Sequence, residues 1–184
     1  AAISACEKCG EWVHALDLLK LMAGRRVAMT TITCSATISA CEKGGKWVKA
    51  LELLEVMAQG GVELNTITYN AAISACRKGG EWVKALDLLN VMLRDMVEVS
   101  TITYNAAIGA CEKSGEWVMA TELLNAMVSG RVEKTAITYL AAISACEKGL
   151  EWIKALDLLS AMTEVGVTPN TITYSAAISA CEKA

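Results

Sequence analysis

The sequence contains no phenylalanine, one proline and one histidine. The composition favours helices, because Pro169 is the only proline and because the abundant Ala and Leu lose little side-chain freedom in a helix. Apolar residues make up 54% of the chain against 20% charged, which is typical of a folded protein with a core. We therefore predict an all-α protein.

Long hydrophobic runs and excess positive charge are also missing. The longest uncharged stretch, Val165 to Cys181, contains Pro169, Asn170 and several hydroxyl residues, so we expect no membrane span. The net charge of −3 predicts no general attraction to nucleic acid, and any such binding must come from a local stripe of charge.

What the sequence does contain is one motif repeated every 35 residues without insertion or deletion. Cysteine, tryptophan and methionine each recur at this step, as in Cys41 and Cys76, Trp47 and Trp82. The pattern predicts a single solenoid domain divided into these segments: a partial repeat 1–30, full repeats 31–65, 66–100, 101–135 and 136–170, and a partial repeat 171–184.

Each repeat carries two stretches with helical spacing of apolar residues. In the repeat that begins at Thr66, the first stretch ends at the Gly79–Gly80 pair and the second begins near Trp82. A single hairpin of this kind cannot bury both apolar faces, so successive hairpins must stack. We predict an α-solenoid superhelix of stacked helix-turn-helix repeats, similar in architecture to tetratricopeptide repeats, with a concave groove.

The 35-residue unit resembles the pentatricopeptide repeat family. The resemblance rests on the Thr68-Tyr69-Asn70 opening, Lys78 and Gly80 at the turn, and Ala85-Leu86, Leu89 and Met92 in the second helix, and it covers the whole chain. Tetratricopeptide repeats are 34 residues long and have a different pattern. The resemblance implies single-stranded RNA bound along the first helices, one base per repeat.

Two columns vary between repeats in hydrogen-bonding character while the residues around them stay fixed. The fifth column holds the fifth residue of each repeat: Ser35, Asn70, Asn105, Leu140 and Ser175. The last column holds the final residue of each repeat: Thr30, Asn65, Ser100, Thr135 and Asn170. Neutral polar side chains suit the mixed donors and acceptors of a base edge, and for the last column helix capping is an alternative interpretation.

In the family these two columns form the base-reading pair, and the resemblance carries this role to matching positions here. It implies that Ser35 with Asn65 reads adenine and that Asn70 with Ser100 reads a pyrimidine, with a leaning towards cytosine. Asn105 with Thr135 is expected to read pyrimidines more weakly. Leu140 with Asn170 departs from the pattern, because Leu cannot hydrogen-bond, and we expect that repeat to be permissive.

Two further columns are candidate RNA contacts with structural alternatives. The isoleucine column, which resembles the family's base-sandwiching residues or packs between repeats, is Ile32, Ile67, Ile102, Ile137 and Ile172. The lysine column, which could follow phosphates or stabilise the ends of the first helices through the helix dipole, is Lys8, Lys43, Lys78, Lys113, Lys148 and Lys183.

Other chemistry finds little support in the sequence. The acidic residues recur once per repeat and cannot converge on one point, so no catalytic residue is assigned. Cysteines one repeat apart are too distant for disulfides, and Cys6 and Cys9 have no second ligand pair, so we expect no metal and no cofactor. The tryptophans are expected to pack between repeats. Free thiols fit a reducing compartment.

The favoured hypothesis is a sequence-selective single-stranded RNA-binding array that acts in RNA processing, stability or translation. The alternative is a protein-interaction scaffold that holds an extended peptide in the same groove. Family members usually act in mitochondria or plastids, so the resemblance implies an organelle. The chain starts within a helix and lacks an initiator Met, so we expect a fragment of a longer array, with further repeats or an effector domain on the same chain.

Overall fold

The structure, a computed structural model, describes residues 2–183 of the chain, and these form helices and connecting turns without a strand. The helices are α1 (Ala2–Cys9), α2 (Trp12–Gly24), α3 (Thr31–Lys43), α4 (Trp47–Gln59), α5 (Thr66–Gly79), α6 (Trp82–Arg94), α7 (Thr101–Ser114), α8 (Trp117–Ser129), α9 (Ala136–Lys148), α10 (Trp152–Glu164) and α11 (Thr171–Glu182). None of them is long and apolar enough to cross a membrane. The all-α prediction is confirmed.

The helix boundaries follow local sequence signals. From α3 onwards, every first helix of a repeat begins at the repeat's first residue, directly after a short polar side chain. The capping residue is extended before α3, α7, α9 and α11, as at Ser100 before α7. Helix α7 ends at Gly115, which adopts a left-handed conformation with φ of 73° that favours glycine. In the next repeat Leu150 holds the corresponding position, also at positive φ (60°).

The chain divides into two compact units. The first runs to Gly79 and includes Val83–Glu98, and the second takes Gly80–Trp82 and continues from Val99. Within the first unit, α1 packs on α3 and α3 on α5, while α2 contacts α1 and α3, and α4 contacts α3 and α5. The second unit repeats this order, with α7 on α9 and α9 on α11, α8 between α7 and α9, and α10 between α9 and α11.

Small residues on the first helices allow this close stacking. Ala40 and Cys41 on α3 are fully buried, as is Ile38, and the second helix α4 adds the buried Met57. Corresponding alanine, cysteine and isoleucine residues are buried on α7 and α9. Burial of this apolar surface is the main stabilising contribution to each unit. The predicted stacked helix-turn-helix architecture is confirmed.

Hydroxyl groups at the start of three first helices tie their hairpins to the loops that follow them. The Oγ1 of Thr31 donates to the backbone oxygen of Glu63 at 3.0 Å, and Thr66 and Thr101 make the same bond to Glu98 and Glu133. The loop that ends a repeat is thereby held beside the start of that repeat's first helix. The loops that carry Asn65, Ser100 and Thr135 of the last column are positioned in this way.

Candidate RNA interface

The last column caps the first helices. The Oδ1 of Asn65 accepts a hydrogen bond from the backbone N–H of Thr68 at 3.1 Å, and Asn170 accepts from Thr173 at 3.0 Å. Thr30, Ser100 and Thr135 take part in capping boxes in which a threonine three residues later returns a bond to the cap's own backbone N–H. Helix capping, the alternative interpretation of this column, is therefore part of its role in the structure.

In the first compact unit one threonine joins the two members of a predicted reading pair. The Oγ1 of Thr68 lies 2.8 Å from the Oγ of Ser35 on the preceding first helix. The same Oγ1 donates to the Oδ1 of Asn65 at 3.0 Å. Thr68 is fully buried and Ser35 is 8% exposed. The stack thus brings Ser35 and Asn65 together through a shared hydroxyl, although 30 residues separate them in sequence.

The second compact unit has the same arrangement. Thr138 is fully buried, and its Oγ1 donates to the Oδ1 of Asn105 at 2.7 Å. It also lies 3.1 Å from the Oγ1 of Thr135. The predicted pair of Asn105 and Thr135 is therefore joined by a threonine in the same way as Ser35 and Asn65.

The other fifth-column residues lie in different environments. Asn70 is partly buried, and its Oδ1 is shielded from solvent with no hydrogen-bond partner among the described residues. Asn70 and Ser100 belong to different compact units, so their action as a pair stays a prediction. Leu140 is partly buried, whereas Asn170 and Ser175 are exposed.

The isoleucine column is exposed to solvent. Its five members, Ile32, Ile67, Ile102, Ile137 and Ile172, keep between 62% and 77% of their surface accessible. A solenoid core would bury such residues, so packing between repeats is not their role in this structure. In the first unit, Ile32 and Ile67 line a depression of about 210 Å³ together with Ser35 and Asn65. An apolar rim therefore flanks a polar pair.

The lysine column forms ion pairs between successive first helices. Lys78 lies 2.9 Å from Glu42, Lys148 lies 3.2 Å from Glu112, and Lys183 lies 2.7 Å from Glu147. In each pair the glutamate belongs to the preceding repeat and both side chains keep contact with solvent. Each of these lysines has an acidic partner within the protein. Binding of phosphates by the lysine column stays a prediction, and holding neighbouring first helices together is the alternative role.

Three of the tryptophans, Trp12, Trp47 and Trp117, pack against the turn of the next repeat. A Cβ added to Gly44 would lie 2.5 Å from the Cδ1 of Trp12, and Trp117 covers Gly149 equally closely. The contact explains why these turns carry glycine after the lysine column. These three rings pack between repeats as expected, whereas Trp152 is 42% exposed.

The cysteines are free thiols and five of the eight are buried. Burial raises the pKa of Cys41 to about 11 and that of Cys111 to about 12, from an ordinary value of 9.0. Both groups therefore stay protonated and unreactive at neutral pH. No group of three or more potential metal ligands occurs within residues 2–183.

Sequence reasoning missed the threonines at the third residue of each repeat, which we call the third column. Its members are Thr33, Thr68, Thr103, Thr138 and Thr173. A signal was available, because each follows a Ser, Thr or Asn by three residues, the spacing of a capping box. Their contact with the fifth column depends on the stacking of neighbouring helices and could not be seen in one repeat.

Family models match most of the chain. The model described as PPR repeat family matches residues 29–78 and 64–111, and the model described as PPR repeat matches residues 1–27 and 102–132. A third, described as Pentatricopeptide repeat domain, matches residues 151–183. A comparison with curated protein sequences gave no match.

Solved structures share the fold. The chain aligns with the pentatricopeptide repeat protein PPR10 in complex with an 18-nt psaJ RNA element at a TM-score of 0.84 and 25% identity, over 98% of this chain and 26% of that one. PPR10 from maize aligns at a TM-score of 0.59 and 21% identity, over 98% of this chain and 31% of that one.

A third similar structure is the PPR domain of Arabidopsis thaliana protein-only RNase P 1 in complex with tRNA. It aligns at a TM-score of 0.69 and 20% identity, over 79% of this chain and 77% of that one, and supports the fold alone. The chain spans about a quarter of the length of the PPR10 chain in the RNA complex.

Proposed function

Since the chain belongs to the pentatricopeptide repeat family, we propose that it binds single-stranded RNA along its first helices and reads one base per repeat. The observation that carries the proposal is the depression in the first unit, where the linked polar pair of Ser35 and Asn65 lies between the exposed Ile32 and Ile67. A base has apolar faces and a polar edge, and this arrangement offers a matching surface to each.

Two further observations support the same proposal. The second unit carries an equivalent linked pair, Asn105 with Thr135, and the isoleucines of that unit, such as Ile102 and Ile137, are also exposed. The Oδ1 of Asn70, in the same column as Asn105, is shielded from solvent without a hydrogen-bond partner among the described residues, and buried polar atoms without partners are rare in folded proteins. The similarity to PPR10 solved with an RNA element points to the same ligand class.

The repeats would act by occupying or delivering an RNA, in its processing, stability or translation, and any catalytic step would belong to another domain or protein. A protein-only RNase P that shares the fold shows that such repeats occur together with nuclease function in other proteins. We also propose an organellar location, mitochondrion or plastid, on family resemblance.

A peptide-binding scaffold is the second candidate. The net charge of −3 and the ion-paired lysines favour it, because both reduce the attraction of the surface for phosphates. Such a scaffold, however, has no need of exposed isoleucines beside the linked polar pair of Ser35 and Asn65.

Selection from a randomised single-stranded RNA pool, with double-stranded RNA of the same composition as a control, separates the two candidates. We expect enrichment of a short motif that specifies consecutive nucleotides, and weaker binding as salt rises. No retention of single-stranded RNA at low salt would rule out the RNA-binding function and leave the scaffold.

A further inference from the structure

We propose that two buried threonines, Thr68 and Thr138, are positioning residues that set the hydrogen-bond polarity of the reading pairs they link, and that the two linked pairs have opposite polarity. This inference rests on the proposed RNA-binding function and deepens it. A threonine hydroxyl has a single proton, so a threonine between two polar side chains donates to one of them and must accept from the other.

In the first unit the direction of the protons follows from Asn65. Its side-chain atom facing Thr68 accepts from the backbone N–H of Thr68 as well as from the hydroxyl, so that atom is the carbonyl oxygen Oδ1. Thr68 therefore gives its proton to Asn65, and Ser35 must give its own proton to Thr68. What remains for a ligand is an acceptor on the Oγ of Ser35 and a donor on the Nδ2 of Asn65.

In the second unit the direction is reversed. Thr138 gives its proton to the Oδ1 of Asn105 at 2.7 Å, so Thr135 must donate its proton to Thr138. Thr138 also accepts from the backbone N–H of Thr135 at 3.0 Å. Asn105 then offers its Nδ2 as a donor, and Thr135 offers its Oγ1 as an acceptor.

The reversal has a consequence for base selection. Adenine and cytosine carry an exocyclic amino group with a ring acceptor beside it, whereas guanine and uracil carry a carbonyl with a ring N–H beside it. If bases enter both repeats in one orientation, the repeat 31–65 and the repeat 101–135 select opposite exocyclic groups. Together with the expectation of adenine in the first and a pyrimidine in the second, the polarity points to uracil for the repeat 101–135.

Variants of Thr68 test the positioning role. Thr68→Val keeps the shape and removes the hydroxyl, which frees the Ser35 proton, while Thr68→Ser keeps the hydroxyl. Thr173→Val is the matched control, because Thr173 is equally buried and caps its helix with Asn170, but the preceding fifth-column residue is Leu140, which shares no proton.

In selections from a randomised single-stranded RNA pool, Thr68→Val should weaken the preference at the nucleotide of repeat 31–65 by about fivefold, the value of one hydrogen bond. The neighbouring nucleotides should stay as they are. Thr68→Ser should keep the wild-type motif. Thr173→Val should lower the melting temperature, as Thr68→Val does, without changing any nucleotide of the motif.

The motif selected by the unmodified protein also tests the polarity inference, without any substitution. The motif should carry an amino base at the nucleotide of repeat 31–65 and a carbonyl base at that of repeat 101–135. The same exocyclic group at both, or an unchanged preference in Thr68→Val, would overturn the polarity inference while RNA binding stands. Failure of the unmodified protein to bind any single-stranded RNA is a different result, since it removes the proposed function itself and the inference with it.

Discussion

Individual residues depart from their columns in ways that have energetic consequences. Of the turns that join the first and second helices of a repeat, four carry a glycine at positive φ, namely Gly10, Gly45, Gly80 and Gly115, and the fifth carries Leu150 at φ of 60°. A residue with a Cβ pays about 1–2 kcal/mol for this left-handed conformation. Leu150 is 58% exposed, so its side chain recovers little of that cost by burial.

We expect Leu150→Gly to raise the free energy of unfolding by about 1 kcal/mol, because glycine adopts positive φ without the steric penalty of a Cβ. Chemical denaturation followed by circular dichroism measures the change. Gly115→Leu, the reverse change one repeat earlier, should lower stability by a similar amount. If both variants unfold like the original protein, the turn at Leu150 is not strained.

For the third column, the sequence pattern predicts helix capping but does not predict the contact with the fifth column. Thr68 and Thr138 were predictable as partners in helix capping from the spacing of three residues. Their bonds to Ser35 and Asn105 span 33 residues and arise only when the first helices stack. The direction of the protons between them depends on individual acceptor atoms, which a residue pattern does not describe.

At the scale of helices and hairpins, the 35-residue period was sufficient to predict most of the fold. The starts of the first helices, the turns after the lysine column and the packing of the tryptophans all follow from signals within one repeat. The sequence also suggested that the isoleucine column could pack between repeats, and its exposure of at least 62% excludes this. An isoleucine at a helix's second residue can point along either face, and periodicity over 35 residues does not decide between them.

One hairpin lacks the bond that ties the others to their loops. Ala136 stands where Thr31, Thr66 and Thr101 donate to a backbone oxygen. We expect Ala136→Thr to donate to the backbone oxygen of Thr168 and to raise the free energy of unfolding by about 0.5–1.5 kcal/mol. Thermal denaturation is the measurement, and Ala136→Val, which has the same shape without a hydroxyl, is the control. Equal stability of the threonine and valine variants would show that no such bond forms.

The ion pairs between first helices make a second prediction at this scale. Substituting Gln for Glu42, Glu112 and Glu147 removes the acidic partners of three lysines, while stability should change little because exposed ion pairs contribute about 0–1 kcal/mol each. If the lysine column follows phosphates, the triple variant binds single-stranded RNA more tightly. The slope of log K against log salt should also steepen, by about 0.7 for each added phosphate contact.

A control variant with the same change in net charge distinguishes an effect of the lysine column from an effect of the protein's net charge. Gln at Glu55, Glu122 and Glu164 alters net charge equally but lies on second helices, away from those lysines. The control should leave the salt slope unchanged. Equal slopes in both triple variants would mean that the lysines serve only the stacking of the helices.

On the scale of the whole molecule, a regular framework of repeats carries a few variable positions. Buried alanine, cysteine and isoleucine residues give every described first helix between α3 and α9 a similar environment. The fifth and last columns, in contrast, differ from repeat to repeat, and in the first unit Ser35 and Asn65 line a depression together with exposed isoleucines. Family membership explains the framework, and the proposed function depends on the variable columns.

The most direct measurement of the central claim is a base-specificity swap in one repeat. Asn70→Ser combined with Ser100→Asn gives the repeat 66–100 the same reading pair as the repeat 31–65. In selections from a randomised single-stranded RNA pool, we expect one nucleotide of the motif to change from a pyrimidine to adenine while the others stay the same. A motif that is unchanged by the double substitution would contradict the claim that these columns read bases.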